Sequence, residues 1–144
     1  MKEYNLKRKI SVIIPLLITT IALIAFNTIF IIGYVPSASM EPTLKENSLI
    51  LGLRIYDDLY KGDIIVFNHE GKLLVKRIAA IEGETVDVNG KQIMIPSNSY
   101  YVLGDNINNS VDSRFWNEPF IHEVDIVSKV IICEIKVSMQ SECA

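Results

Sequence analysis

The feature that most constrains the fold of this chain is a run of 25 residues without charge, residues 10–34. As a single α-helix, this run would be about 37 Å long at a rise of roughly 1.5 Å per residue. The hydrocarbon core of a bilayer is roughly 30 Å thick. We therefore expect residues 10–34 to form one tilted transmembrane helix.

The charges around this run predict its orientation. Lys2, Lys7, Arg8 and Lys9 precede it, and no charged residue follows before Glu41. The positive-inside rule then makes residues 1–9 a basic cytoplasmic N-terminus and places the chain beyond residue 34 outside.

The alternative to a retained anchor is a secretory signal that is cleaved after Ala38, since Ser37 and Ser39 beside it are also small. The apolar run is about twice as long as the core of such signals, which is roughly 7–15 residues. Its length therefore favours a retained anchor.

The composition beyond the run limits what the external part can be. Residues 41–144 suffice for one modest domain, and they carry 10 Lys and Arg against 16 Asp and Glu, a net charge of −6. Without a basic patch, nucleic acid is not an expected partner. The isolated His69 and His122, and the spacing of Cys133 and Cys143, predict no metal site, and we expect both cysteines to be unpaired thiols.

Residues 35–137 predict a mostly β domain, followed by a polar C-terminal tail at 138–144. Short apolar runs of branched residues end at glycine or at charged residues, as strands do. Asn89 and Gly90, between two of these runs, form a strong hairpin signal. The runs cover residues 48–55, 63–67, 73–81, 85–88, 91–95, 99–103 and 126–137. We expect a small, curved antiparallel β-sheet or barrel-like domain preceded by one transmembrane helix.

Ser39 is a candidate nucleophile that lies five residues after the apolar run. Even a fully extended chain, at roughly 3.5 Å per residue, keeps it within about 17 Å of the apolar boundary. A serine hydroxyl needs an adjacent base, and neither histidine is well placed to act as one.

Lys76 is the candidate base, because it interrupts the apolar strand predicted at 73–81. Neighbours in a strand point to opposite faces, so if Arg77 faces water, Lys76 points into the domain. Burial would then favour the neutral amine. The structural alternative is an edge-strand lysine whose amine lies in water.

Residues 104–114 are rich in Asn, Asp and Ser. They do not form an EF-hand loop, because Ser110 stands where that loop needs Gly and Trp116 where it needs Glu. They can form a hydrogen-bonded scaffold in which Asp112 and Arg114 pair, or simply a polar structural loop.

Four segments of the chain together form a recognisable series. They read Ser37-x-Ser39-Met40-x-Pro42-Thr43, Lys61-Gly62-Asp63-Ile64-Ile65-Val66-Phe67, Val75-Lys76-Arg77-Ile78, and Gly104-Asp105-Asn106 followed by Asn109-Ser110-x-Asp112-Ser113-Arg114. In residue type, order and spacing this series resembles the motifs of bacterial type I signal peptidases (leader peptidases), which are Ser/Lys-dyad serine proteases. The resemblance covers essentially the whole chain.

The resemblance implies a catalytic dyad of Ser39, the acylating nucleophile, and Lys76, the general base, with no metal or cofactor. It also implies supporting roles for Ser37 in the oxyanion hole, Ser110 in orienting the lysine amine, and the pair Asp112 and Arg114 in holding the site's shape. Two positions depart from the family pattern: Ile107 replaces the usual Arg, and Asn117 replaces a Gly whose backbone angles can be unusual.

The same resemblance implies the substrate and the location. The substrates would be signal peptides of exported preproteins, with small residues at the first and third positions before the cut. The enzyme would lie in the cytoplasmic membrane of a bacterium, single-pass, with its catalytic domain on the outer face. Membrane lipid and, transiently, the secretion translocon would be its other partners.

Three alternatives stay open beside this function. One is a specialised relative that processes one dedicated substrate, such as a pilin or a conjugation protein. A self-cleaving repressor or mutagenesis protein is disfavoured by the membrane span. A catalytically retired, membrane-bound binding module is disfavoured because Ser39 and Lys76 are both present.

Overall fold

The structure is a computed structural model that describes residues 2–88 and 90–135. A long helix, α1 (Lys2–Ile29), is followed by a mostly β domain. Its strands are β1 (Phe30–Tyr34), β2 (Leu49–Leu53), β3 (Ile64–His69), β4 (Lys72–Ile81), β5 (Thr85–Val88), β6 (Lys91–Met94), β7 (Ser99–Leu103), β8 (Ile121–His122) and β9 (Ile126–Ile135). Single turns of 3-10 helix occur at Ala38–Met40, Ile107–Asn109 and Glu123–Asp125. The predicted fold class is confirmed.

Several sequence predictions fall on parts of the chain that the structure does not cover. Asn89 of the hairpin signal, Cys143 and the polar tail at 138–144 lie outside the described residues, as does the side chain of Cys133.

Helix α1 is shorter at its carboxyl end than the apolar run. Its segment Ser11–Ile29 has 19 residues, a mean hydropathy of 2.3 and no buried part, so it is long and apolar enough to cross a membrane. Residues 30–34, which the sequence analysis placed in the span, form β1 instead, and β1 pairs with β2 from Phe30↔Leu53 to Tyr34↔Leu49. Hydropathy does not distinguish an apolar helix from an apolar strand, whereas aromatic and β-branched residues favour the strand and Gly33 disfavours the helix.

The main sheet has seven antiparallel strands in the order β1-β2-β9-β3-β4-β7-β8, and β5 and β6 form a separate hairpin. Because each neighbouring pair is antiparallel, β1 and β4 run in the same direction. Residues 72–77 of β4 pair with β3, and pairing with β7 begins at Arg77. In the described part of the chain, no strand pairs with the other edge of residues 72–76, so this edge and the outer edge of β1 are both open.

Strand β3 lies in the middle of the domain and is buried on both faces. Val66 packs into one apolar cluster with Met40 and Leu44, while Ile65 and Phe67 pack into another on the opposite face. This explains why residues 64–67 form a continuous apolar run rather than an alternating one. Since the first cluster includes Met40 and Leu44, the core also fixes the segment that follows Ser39.

Gly52 and Ser128 meet inside the sheet, and their contact predicts a coupled effect on stability. A Cβ on Gly52 would overlap Ser128 Oγ and lie 2.9 Å from Ile31 Cγ2. Ser128 is 0% exposed, and its hydroxyl has no hydrogen-bond partner among the described residues. We expect Gly52→Ala to lower the free energy of unfolding by about 1–3 kcal/mol through overpacking. Ser128→Ala should be neutral or stabilising by up to about 1 kcal/mol.

Urea unfolding of the full chain in detergent measures both changes and their coupling. The Gly52→Ala penalty should shrink in the Ser128→Ala background, because the hydroxyl that obstructs the new methyl group is gone. Equal penalties in the two backgrounds would contradict this packing.

Candidate active site

Ser39 lies in the 3-10 turn that follows β1, and both sides of this turn are fixed. On the core side, Met40 is buried in the first apolar cluster. On the other side, the Asn106 backbone N–H donates to the Ser39 carbonyl at 3.0 Å, and Asn106 Nδ2 donates to the Ala38 carbonyl at 3.0 Å. The turn that carries the half-buried Ser39 is therefore held by contacts on both sides.

Lys76, on β4, brings its amine to this serine. Its Nζ lies 2.6 Å from Ser39 Oγ, and the residue is only 4% exposed. This burial rules out the alternative in which the amine extends into water. The two candidate residues are 37 positions apart in sequence and are brought together by the fold.

The environment favours the neutral form of this amine. Burial is the largest influence and lowers the pKa of Lys76 below its ordinary value. The negative charge of Asp112 opposes this change, the positive charge of Arg114 adds to it, and Asp105 opposes it. Desolvation therefore determines the direction of the pKa shift, while the surrounding charges moderate it.

Asp112 is the centre of the hydrogen-bond network beside Ser39 and Lys76. Its Oδ2 accepts the Gly104 backbone N–H at 2.9 Å and the Ser110 hydroxyl at 2.7 Å. Arg114 donates from Nε to Oδ1 at 2.8 Å and from Nη2 to Oδ2 at 2.9 Å. Burial alone would raise the pKa of Asp112, but hydrogen bonds from Arg114, Gly104 and Ser110 outweigh it and hold the pKa below its usual value. The predicted pairing of Asp112 with Arg114 is present.

Gly104 allows the Ser110 side chain and the Ser39 carbonyl to lie close to its own backbone. A Cβ at position 104 would overlap the Ser110 side chain and lie 2.5 Å from the Ser39 carbonyl oxygen. Ser110 is buried, and its hydroxyl proton is donated to Asp112. Its predicted role in orienting the Lys76 amine stays a prediction.

Arg77 lies on the face of β4 opposite to Lys76, where it contacts several polar groups. It forms a two-pronged ion pair with Asp105, with Nε–Oδ1 at 2.8 Å and Nη2–Oδ2 at 2.6 Å. It also donates to the Gly62 carbonyl at 2.7 Å and to Thr43 Oγ1 at 3.3 Å. Sequence analysis missed these partners, because no local signal links a carboxylate to an arginine 28 residues away.

The remaining predicted positions take more peripheral places. Ser37 Oγ lies 3.4 Å from Ser39 Oγ, and its oxyanion role stays a prediction. Ile107 is exposed, and its carbonyl accepts from Arg114 Nη2 at 3.1 Å. The described non-glycine residues with positive φ do not include Asn117, so this position does not need the angles expected of the family's glycine.

The histidines contact other parts of the domain. His69 stacks on Trp116 with ring centroids 4.0 Å apart, and His122 Nδ1 lies 3.1 Å from Ser99 Oγ. Across residues 2–88 and 90–135, no group of three or more His, Cys, Asp or Glu could hold a metal ion.

A cleft of about 290 Å³ leads to Ser39 and Lys76. One wall consists of residues 31–37 and Ser39 and the other of residues 73–76, and its floor includes Ile50, Gly52 and Val66. Each wall ends at one member of the pair, Ser39 or Lys76. We call this cavity the substrate cleft.

Comparison with known proteins identifies the family. Residues 7–97 and 92–134 match the family described as "Signal peptidase, peptidase S26". The chain belongs to this family.

Individual relatives agree with that assignment. The chain is 30% identical over 135 residues to signal peptidase I of Leptolyngbya laminosa, a match that covers 69% of this chain and 66% of the relative. It is 34% identical over 117 residues to probable signal peptidase I-2 of Synechocystis sp. (strain ATCC 27184 / PCC 6803 / Kazusa), covering 58% of this chain and 54% of the relative. It is 31% identical over 149 residues to signal peptidase I U of Bacillus subtilis (strain 168), covering 75% and 79%. The chain thus spans 66% and 54% of the lengths of the first two relatives.

The Asp112 network predicts a loss of stability when its charge is removed. Asp112→Asn removes the negative charge that pairs with Arg114, at a side chain that is fully buried. We therefore expect the free energy of unfolding to fall by about 2–4 kcal/mol. Thermal and urea unfolding of the full chain in detergent measure the change. Asp57→Asn, at an exposed position without an ion pair in the described part of the chain, is the matched control and should stay within about 0.5 kcal/mol. Equal stability of the two variants would contradict the proposed importance of the network.

Proposed function

We propose that this chain is a membrane-anchored serine endopeptidase that removes signal peptides from exported preproteins through a dyad of Ser39 and Lys76. The observation that carries this proposal is the 2.6 Å separation of Lys76 Nζ and Ser39 Oγ in a setting where the amine is buried. Membership of the signal peptidase family supports the same activity.

Acylation begins with the neutral amine. Lys76 accepts the Ser39 proton while Oγ attacks the scissile carbonyl carbon, which becomes tetrahedral and carries a negative oxygen. The Ser37 hydroxyl and the Ser39 backbone N–H are the proposed donors to that oxygen, and such donors typically contribute about 3–4 kcal/mol each. The Lys76 ammonium then protonates the leaving amine, the C–N bond breaks, and an ester on Ser39 remains.

Deacylation uses the same base a second time. Lys76 accepts a proton from water, the resulting nucleophile attacks the ester, and the proton returns to Ser39 Oγ as the C–O bond breaks. A lysine with an ordinary pKa near 10.4 is neutral in only about one molecule in a thousand at pH 7.4. Desolvation lowers the pKa of Lys76 and so raises the fraction of neutral amine that both half-reactions need.

The substrate cleft suits an extended peptide. Its walls, β1 and residues 73–76 of β4, run in the same direction and both present open edges. A peptide between them can add main-chain hydrogen bonds to both edges while its side chains alternate between the floor and solvent. Val35 and Met40 line the cleft together with Ser39, and these apolar side chains support a small first residue before the cut.

Helix α1 supplies the proposed anchor, with the N-terminus in the cytoplasm and the β domain on the outer face of the cytoplasmic membrane. The length and hydropathy of its segment Ser11–Ile29 support a span, and the four basic residues before this segment support the orientation. Cleavage after Ala38 would remove β1 from the sheet and Val35 from the core, so the fold supports a retained anchor. Confinement to the membrane surface raises the effective concentration of preproteins near the enzyme. The further proposed partners are membrane lipid and, transiently, the translocon.

Substitution of the dyad tests this function. Ser39→Ala removes the nucleophile and should reduce cleavage of a preprotein on the order of 10³-fold or more. Lys76→Arg should be nearly as inactive, because a guanidinium stays protonated. Gel-based processing by the purified full chain in detergent provides the measurement. Lys72→Arg, on the exposed start of the same strand, is the control and should retain activity. Normal processing by Ser39→Ala would exclude the proposed nucleophile.

The pH dependence follows from the direction of the Lys76 shift. Below its pKa the amine is protonated and cannot act as a base, so kcat/KM should fall about tenfold per pH unit in that range. Because burial lowers the pKa of Lys76, the plateau should be reached at a lower pH than an ordinary lysine would allow. Cleavage rates between pH 5 and 9 measure this, with circular dichroism at each pH to verify folding. A flat profile would contradict a titrating amine.

A further inference from the structure

The backbone N–H of Ser39 is a donor that the fold does not use. Within residues 2–88 and 90–135, no group accepts a hydrogen bond from it. This N–H is one of the two proposed donors to the negative oxygen that forms during acylation. Such a donor is effective only if it already points to the place where the charge develops. The question is therefore which contacts hold the peptide group that carries it.

That peptide group joins Ala38 to Ser39, and it is held at its carbonyl end. The group is trans, and a trans peptide group is planar, so its C=O and N–H point in opposite directions and turn together. The Ala38 carbonyl accepts the side-chain amide Nδ2 of Asn106 at 3.0 Å and the Glu41 N–H at 3.1 Å. Holding this carbonyl therefore also holds the direction of the Ser39 N–H.

Asn106 holds the peptide group on the other side of Ser39 as well. Its backbone N–H donates to the Ser39 carbonyl at 3.0 Å. A residue between two planar peptide groups has only two soft backbone dihedrals, φ and ψ. Because Asn106 contacts both peptide groups, it restrains both dihedrals of the nucleophile.

The side chain of Asn106 does not serve the turn that it precedes. Asn106 stands at the N-cap of the 3-10 turn Ile107–Asn109, a position where an asparagine side chain commonly accepts a backbone N–H. No such side-chain bond is formed here. The turn is closed by its own backbone, since the Asn109 N–H donates to the Asn106 carbonyl at 3.0 Å. The side chain instead contacts a carbonyl 68 positions away in sequence, so the stability of the local turn does not explain it.

The same hydrogen bond also strengthens the donor. A carbonyl that accepts a hydrogen bond is more strongly polarised, and the N–H of the same peptide group becomes a better donor. This cooperative effect is about 10–30% per bond. The amide of Asn106 thus acts on both the direction and the strength of the Ser39 N–H.

We propose, building on the function above, that Asn106 is a positioning residue for the oxyanion hole. Its side-chain amide holds the peptide group between Ala38 and Ser39, so that the Ser39 N–H meets the negative oxygen of the tetrahedral intermediate. Within the described part of the chain, the hydrogen bonds of Asn106 do not include one to the Lys76 amine. Its loss therefore affects stabilisation of the oxygen rather than the base.

Asn106→Asp tests this role, because it keeps the shape of the side chain and the backbone N–H but replaces the amide donor by an acceptor. Loss of a direct oxyanion donor lowers kcat on the order of 10²–10³-fold. A donor that is only misdirected should lose part of this, so we expect kcat to fall about 10–100-fold with KM within about threefold. Preprotein processing by the full chain in detergent measures both constants. Asn108→Asp adds the same charge at an exposed position of the neighbouring turn and should leave them unchanged.

A pair of substrate-like inhibitors separates positioning from a general structural role. In a peptide aldehyde, Ser39 Oγ bonds to the aldehyde carbon as the C=O bond opens, and the serine proton passes to Lys76. The resulting negative oxygen lies where the oxyanion would form. The peptide alcohol of the same sequence binds without this addition. Asn106→Asp should weaken the aldehyde by about the same factor as kcat/KM and the alcohol by less than about twofold.

Asn106→Ala removes the donor without adding a charge and should show the same pattern. It also serves if the Asp variant does not fold, which urea unfolding would reveal. The midpoint of its pH profile for kcat/KM should equal that of the unaltered chain, since the base is unaffected.

The outcomes distinguish this proposal from the proposed function. If the unaltered chain does not cut the preprotein, the proposed function fails. If the unaltered chain cuts it and the folded Asn106 variants keep their kcat, the positioning role is overturned. Equal weakening of the aldehyde and the alcohol, or a shifted pH midpoint in Asn106→Ala, would also overturn it.

Discussion

The structure depends on an amine that is withdrawn from water and placed against a hydroxyl. An isolated ammonium group in such a place is strongly disfavoured, and burial accordingly lowers the pKa of Lys76. The surroundings of Lys76 keep this balance moderate. Asp112 would draw the proton back to the amine, but its charge is largely engaged by Arg114 and by the N–H of Gly104. A carboxylate neutralised in this way can order the site without restoring the charge of the lysine.

Strand β4 is the element that joins the chemistry to the rest of the fold. Two consecutive residues point to opposite faces and enter two different polar networks. Lys76 meets Ser39, whereas Arg77 holds Asp105, the Gly62 carbonyl and Thr43 together. Lys76 thus connects one face of β4 to Ser39, and Arg77 connects the other face to segments that precede and follow the strand. The position of the base relative to the nucleophile is fixed by contacts on the side of the strand that takes no part in the proposed reaction.

The elements that have strong local sequence patterns could be predicted. The strands at 64–69 and 72–81 follow from branched apolar residues ended by charge or glycine, and Lys76 is conspicuous because it interrupts one of them. Residues 30–34 were predicted as part of the transmembrane span and form β1 instead. Hydropathy is high for residues that face lipid and for apolar residues of a sheet, so it does not separate the two. Strand β8, with two residues, is too short to leave a pattern. Contacts such as Arg77 with Asp105 and Asn106 with Ala38 join residues 28 and 68 positions apart, and no local rule predicts them.

The junction between helix and sheet has a mechanical consequence. Strand β1 begins at the residue after α1 ends, and the last helical carbonyl, that of Ile29, accepts the Arg54 N–H at 2.7 Å. No residue separates α1 from β1, so in the membrane-anchored enzyme proposed above, tilting the helix in the bilayer would also tilt the wall that leads to the serine. In that enzyme, bilayer thickness would influence the height above the headgroups at which a polypeptide is cut.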